Sequence, residues 1–193
     1  MATASKKTPA RAAAKKAPAK TTRPASQAAG PDAITLLKAD HQHVSALYEQ
    51  YEHTRSPAKK KALVATICKE LAIHAQVEEE IFYPAVKAAL KDKELVPEAL
   101  VEHASLKELI AQVEGREPDG EMFDAKIKVM SEYTRHHVKE EQNELFPKAR
   151  KTSLDMKELG ARIAARKEEL KAAPPPTPQP AQESAPALAL GAA

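Results

Sequence analysis

Six residues of this 193-residue chain have side chains and spacings suited to coordinating a cation: His41, His74, Glu78, His103, His137 and Glu141. His74 and Glu78 stand four apart, as do His137 and Glu141. In an α-helix residues i and i+4 lie on one face, so each HxxxE aims a nitrogen and an oxygen at one point. His41 and His103 each add an imidazole from a separate segment. Buried without partners, such groups are costly, so six of them at matching depth call for a common partner. Imidazole with carboxylate suits iron, manganese or zinc better than calcium or magnesium, and the absence of thiolate ligands argues against a structural zinc site. Two metals bridged by the carboxylates use the set economically.

A lone HxxxE in a charged helical chain is more often a surface pair. Here the six residues sit in stripes that are otherwise apolar. The first stripe is Ile34, Leu37, His41, Val44, Tyr48 and Tyr51, and the second is Leu63, Ile67, Leu71, His74, Glu78, Ile81 and Ala85. Val96, Leu100, His103, Leu106, Ile110 and Val113 make a third. Phe123, Ile127, Met130, Thr134, His137, Glu141 and Leu145 make a fourth. Spacings of three and four predict four helices and an all-α, up-down four-helix bundle. Ser56-Pro57 predicts the cap and first position of the second helix, and Pro84 a kink near its end. The third helix is expected to open near Val96-Pro97 and stop at Gly115, and the fourth to open near Asp119. A shorter fifth helix is expected from Ser153, as cap, to about Lys171, with Leu154, Leu159, Ile163 and Leu170 packed across the bundle.

The two halves repeat. DHQHVSAL matches EHASLKEL at an offset of 62, and HAQVEEEIFYP matches HHVKEEQNELFP when His74 is laid on His137, an offset of 63. Each copy carries two helices, which predicts a pseudo-symmetric bundle rather than a solenoid.

Composition confines the folded part to residues 32–172. Residues 1–31 hold seven basic residues, no acid and no Leu, Ile, Val, Phe or Tyr, so that segment is expected to be a disordered basic tail. Residues 173–193 read as a Pro/Ala-rich disordered tail. The formal charge of +3 therefore belongs to the first tail, and the middle of the chain is acidic. One cysteine, Cys68, rules out an intramolecular disulfide framework. With no apolar stretch long enough for a bilayer and no apolar signal core, a cytoplasmic protein without membrane contact is expected.

A histidine in the first helix, HxxxE in the second, a histidine in the third and HxxxE in the fourth resembles the hemerythrin HHE cation-binding domain. An aromatic and a proline follow each HxxxE (IFYP and LFP), and ELGARIAARKEEL resembles that family's closing helix. The resemblance spans about residues 33 to 171. It implies two non-haem irons, oxo- or hydroxo-bridged, ahead of manganese or zinc, and a small oxidant such as oxygen, peroxide or nitric oxide as partner in a stress response. An iron sensor or buffer without turnover is the alternative. The marine oxygen carriers of the family place a second histidine four residues after the third-helix histidine and an aspartate five residues after the fourth-helix histidine. Lys107 and Glu141 stand instead, so the bacterial branch is the closer match and simple oxygen carriage is not implied. No proton-relay constellation is evident, and no residue is assigned a catalytic role.

Other side chains have plainer readings. His43 and His136 point away from the seam by helical geometry, and His53 falls in a loop. Asp40 and Glu102 precede seam histidines in both halves, and Glu79, Glu140 and Glu144 lie close by. Any of these acids can orient an imidazole or simply face water, and Glu79, Glu140 or Glu144 can instead supply an extra bridging carboxylate. Tyr133, four residues before His137, can line the pocket as a hydrogen-bond donor or radical trap, whereas Tyr48 and Tyr51 read as packing. Residues 1–31 resemble the Lys/Ala/Pro arms of histone-like proteins, which makes non-specific nucleic-acid binding a side expectation.

Overall fold

The computed structural model describes residues 30–172; both expected tails lie essentially outside them. Among the described residues there is no strand. The elements are α1 (Ala33–Glu52), α2 (Pro57–Val77), a π turn (Glu78–Phe82), α3 (Tyr83–Leu90), α4 (Leu95–Val113), α5 (Glu121–Glu140), a second π turn (Glu141–Leu145), α6 (Phe146–Arg150) and α7 (Met156–Ala172). Since α2 and α3 form one continuous helix through the first π turn, and α5 and α6 another through the second, the architecture is a four-helix bundle with a fifth helix against it. No helix is long and apolar enough to cross a membrane.

The core divides into two apolar clusters. One holds Ile34, Leu37, Val77, Phe82, Val86, Val96, Phe146 and Ile163, and the other Val44, Tyr48, Ile67, Leu71, Leu106, Ile110, Ile127 and Met130. Helix α1 runs from the first cluster to the second, α2 back, α4 forward and α5 back, which is the up-down order. Each large apolar side chain buried here contributes about 1.5–3 kcal/mol. Between the clusters lies one polar layer, and it contains the six candidate ligands.

Local sequence explains most of the boundaries. Asp32 caps α1 by accepting from Thr35 N–H at 2.9 Å, and Ser56 with Pro57 opens α2 as expected. Helix α5 starts at Glu121 rather than Asp119. Gly120, with φ of 119°, takes the cap position, and no side chain caps it. Helix α7 is capped not by Ser153 but by Asp155, whose Oδ1 accepts from the N–H groups of Lys157 and Glu158, both at 3.0 Å. Leu100 is 38% exposed and Ala99 is buried in its place, because the α4 stripe runs 96, 99, 103, 106, 110 and 113.

The expected proline kink is replaced by a π turn. Proline has no N–H and its ring clashes with the carbonyl four residues back, so a regular helix cannot accept Pro84 without cost. A turn closed by five residues, with Tyr83 N–H on Glu78 C=O, absorbs it. The second half does the same before Pro147, with Phe146 N–H on Glu141 C=O.

Helix α7 packs mainly on the first half, against α1, α2 and the first π turn. Gly160 lies against the start of α1 so closely that a Cβ there would be 2.5 Å from Pro31 O and 2.8 Å from Ala33 N. Lys167 pairs with Asp40, and Arg166 Nε with Glu80 at 2.7 Å.

Candidate metal centre

All six residues singled out by spacing meet in the polar layer, each at most 6% exposed. Four imidazoles come from α1, α2, α4 and α5, and the two glutamates open the two π turns. The Nε2 atoms form two close pairs, His41 with His74 at 3.0 Å and His103 with His137 at 3.1 Å. Two nitrogens about 2.1 Å from one ion and roughly at right angles to it would be separated by about that much. Glu78 Oε2 lies 3.1 Å from His74 Nε2 and 3.5 Å from His103 Nε2, so one carboxylate oxygen faces both pairs. Glu141 Oε2 lies 3.2 Å from His41 Nε2 and 3.7 Å from His137 Nε2. The donors fall into two overlapping groups, His41, His74, Glu78 and Glu141, and Glu78, His103 and His137. Glu78 Oε1 is buried without a hydrogen-bond donor, and Glu141 Oε2 has only the His41 imidazole, 3.2 Å away. Fully buried carboxylate oxygens left this way are expensive, and a cation is the partner that fits them.

Three of the ring tautomers favour the same reading. Each Nδ1 faces outward to a polar side chain: His74 to Asp40 (3.4 Å), His103 to Glu79 (3.0 Å) and His137 to Glu102 (2.7 Å), whereas His41 Nδ1 accepts from the Gln142 amide Nε2 (3.2 Å). An acid at Nδ1 holds the proton there and turns the Nε2 lone pair to the centre. The pattern is two-fold. Asp40 and Glu102 serve the histidine of their own half, while Glu79 and Gln142 serve the other half. Of the acids flagged by sequence, Asp40, Glu102 and Glu79 thus orient rings. Glu140 pairs with His136 and Glu144 with Lys148 at the surface. Lys107, standing where the marine carriers have a histidine, donates to Glu79 at 2.6 Å.

Without a cation the layer must share protons among its own groups. Burial, with Glu141 beside it, lifts the Glu78 carboxyl to about 7. Burial pulls Glu141 the same way, but the hydrogen bond with His41 and the nearby imidazoles bring it down to about 2. Burial depresses His74, yet Glu78 and Asp40 raise it to about 10. Burial and His137 hold His103 at about 4. Such divergence among packed groups marks a layer organised around charge that a cation would neutralise.

Sequence reasoning missed Tyr83. Its hydroxyl donates to Glu141 Oε1 at 2.9 Å, and lies 3.3 Å from Glu78 Oε2 and 3.4 Å from Nε2 of both His103 and His137. It is 1% exposed. The signal was present in the aromatic-proline pair after HxxxE, but at 100° per residue position 83 does not share a face with Glu78. The five-residue turn brings it there. At the equivalent place of the second half Phe146 stacks on His41, ring centroids 5.9 Å apart. Tyr133 is 51% exposed and lines a depression over His103 and His137 instead of entering the centre. Tyr48 and Tyr51 are buried, the former 3.3 Å from Thr134 Oγ1 and the latter donating to Asp124.

Two clefts approach the layer. One of about 460 Å³ runs between α1 and α5 to His41, past Tyr48, Thr134, Arg135 and Gln142. The other, about 430 Å³, lies between α4 and α5 and reaches His103 and His137.

Comparison with known proteins agrees with this geometry. A crystal structure of a hemerythrin HHE cation binding domain-containing protein from Mycobacterium kansasii superposes with a TM-score of 0.63, at 23% identity, over 74% of this chain and 88% of that one, and shares its fold. A DNA nickase of Nostoc sp. (strain PCC 7120 / SAG 25.82 / UTEX 2576) is 26% identical over 111 residues, 58% of this chain but only 31% of the nickase. The hemerythrin HHE cation binding domain itself matches residues 32–149, a stretch that includes all six buried donors. With that match over more than half its length, the chain belongs to the hemerythrin HHE cation-binding domain family.

Proposed function

We infer that the protein is a non-haem di-iron protein that binds or reduces a small oxidant, of the class of oxygen, peroxide or nitric oxide, as part of a stress response. The observation that carries this is the pairing of the four Nε2 atoms at 3.0 and 3.1 Å about the shared Glu78. One pair with Glu78 and Glu141 is suited to one iron, and the other pair with Glu78 to a second. Mixed imidazole and carboxylate donors favour iron, with manganese and zinc behind it. Iron in such a set supplies an exchangeable coordination position and a change of oxidation state. The chain supplies the rest. Acids at Nδ1 fix the rings, the apolar clusters above and below exclude water, and the two clefts are wide enough for diatomic and triatomic ligands.

The test is iron content per chain and the visible spectrum under oxygen, measured beside the His74→Ala/His137→Ala variant. About two irons with an oxo-bridge charge-transfer band, lost in the variant, is the expected result. No iron in the wild-type chain after anaerobic reconstitution overturns the reading. An iron sensor or buffer differs in one measurable respect, namely that turnover with peroxide or nitric oxide is absent while iron removal still lowers the melting temperature.

A nucleic-acid tether is a second reading, favoured by the seven cations of residues 1–31 and by the match of part of the chain to a protein named a DNA nickase. Salt-sensitive DNA retention that vanishes on deleting residues 1–31 would support it; unchanged retention at low salt would remove it.

A further inference from the structure

Helix α7 lies beyond the stretch matched by the family, residues 32–149, yet one of its side chains is tied to the polar layer. Leu159 and Ile163 are buried on its inner face, and Lys167, four residues after Ile163, shares that face. A lysine turned inward needs a partner for its ammonium. Lys167 is 12% exposed and bonds Asp40 Oδ1 of α1. The other oxygen of that carboxylate, Oδ2, faces His74 Nδ1 at 3.4 Å. His74 Nε2 in turn lies 3.0 Å from His41 Nε2 and 3.1 Å from Glu78 Oε2. Side chains from α7, α1 and α2 thus stand in one line that ends among the buried donors.

His103 has the same arrangement built from other elements. Lys107 donates to both oxygens of Glu79, at 2.6 and 2.7 Å, and Glu79 Oε1 lies 3.0 Å from His103 Nδ1. There the lysine stands on the histidine's own helix, four residues after it. The remaining two rings differ. Among the described residues no lysine or arginine holds Glu102 behind His137, and His41 meets the neutral amide of Gln142. A lysine fixing the acid behind a ring therefore occurs once in each pair, and only for His74 does it come from α7.

We propose that Lys167 is a positioning residue for the cation held by His41 and His74, acting through Asp40 on the His74 ring. The proposal rests on the reading of the polar layer as a metal centre. Without Lys167 the Asp40 carboxylate, 16% exposed, is free to turn toward water; with Oδ1 bonded, its plane is fixed and Oδ2 is left for the imidazole. The ammonium also sets a positive charge behind the layer, which opposes a cation. The two effects have opposite signs, so the direction of the change on removing Lys167 tells positioning from charge.

The experiment is anaerobic competition between a chelator and the full chain for Fe(II), for the wild type, Lys167→Met, Lys167→Arg and Arg166→Met. Arg166 is the control, since it joins α7 to Glu80 and reaches no ring. Lys167→Met should weaken one of the two ions about tenfold or more, the scale found when a partner behind a ligand is removed. Lys167→Arg should retain most of the affinity, and Arg166→Met all of it. Made in a His74→Ala chain, Lys167→Met should change nothing further, because the ring on which it acts is gone. Should Lys167→Met fail to fold, Lys167→Gln takes its place with the same expectations. Unchanged affinity in the Lys167 variant overturns the proposal. Tighter binding also overturns it, since the lysine would then act as a repelling charge alone. Equal weakening by Arg166→Met, or further weakening in the His74→Ala chain, overturns it as well, because general support of the fold would account for both. A wild-type chain that holds no Fe(II) fails the reading of the centre instead, and the two failures are therefore distinct.

Discussion

In the half from α1 to α3 the buried glutamate of the polar layer is followed five residues later by the phenol of Tyr83, and in the half from α4 to α6 by the unfunctionalised ring of Phe146. Asp40 is covered by α7 and bonded to Lys167, whereas Glu102 faces water beside His136. Glu79 brings a negative charge to His103, and Gln142 brings a neutral amide to His41. The six donors, the two π turns and the Asp40/Glu102 pair obey the two-fold repeat, and several of their neighbours depart from it. The lesson is that duplication sets where the buried donors stand, while their neighbours make the two pairs unequal. One pair, His41 with His74, is stacked on Phe146 and has its orienting Asp40 held by Lys167; the other, His103 with His137, has a phenol within reach and its orienting Glu102 beside only a histidine on the outer side.

The largest expected effect tests whether the positions are separable at all. Glu78→Ala, which removes the donor common to both groups, should leave less than about one ion per chain, while His74→Ala should retain about one. Equal and complete loss in both variants, by metal analysis, would show that the halves act as a single unit.

Tyr83→Phe makes the halves alike. It strips Glu141 Oε1 of its donor, and the metal-free protein should lose about 1–3 kcal/mol in urea unfolding. Phe146→Tyr, the reverse exchange, should not restore that loss in the double variant, because the new hydroxyl would face His41 and not His103. Full restoration would mean that the asymmetry has no energetic content.

Asp40→Asn and Glu102→Gln compare the two orienting acids. Each should weaken metal binding by about 10–100-fold in chelator competition. Only Asp40→Asn should also lower the stability of the metal-free chain, since it leaves the Lys167 ammonium, 12% exposed, beside an uncharged amide. Equal stability losses would contradict the difference between an acid paired with a lysine and one that is not.

The smallest effect concerns the far end, where Asp124 of α5 joins the halves by accepting from Lys60 at 2.8 Å and from Tyr51. The Lys60 and Tyr51 hydrogen bonds hold its carboxyl below the ordinary value. A depressed acid stabilises the fold above its unfolded pKa and loses that contribution as pH falls through the folded value. The stability gap between wild type and Asp124→Asn should therefore be constant near neutrality and close below about pH 4. A gap that widened on acidification would refute the assignment.

Much of this was legible in the one-dimensional pattern. The bundle, the repeat and the convergence of six donors follow from a 3.6-residue period, because the helices are long and their stripes are interrupted only by the donors themselves. The errors fall where that period does not apply. Tyr83 was invisible because a π turn intervenes, and no count at 100° per residue places it near Glu78. Ser153 and Asp155 are both able to cap, and tertiary packing of Leu154 ahead of α7 settles the choice on Asp155. Asp119 yielded to Gly120 because the turn needs a positive φ. Leu100 and Ala99 compete for one buried position, and the smaller side chain fits where α4 approaches its neighbours.

The two π turns also carry a consequence for inheritance. Each holds one residue more than an α-helix of equal span requires, so the helix could lose a residue between Glu79 and Phe82 and keep its later side chains in register. After such a loss the phenol would follow Glu78 at the i+4 spacing, still on the same face, whereas the wide turn that accommodates Pro84 would be gone. A single-codon deletion here would thus be tolerated by the centre and resisted by the backbone at the proline. Because both halves keep the extra residue at the same place, they align from histidine to proline without a gap.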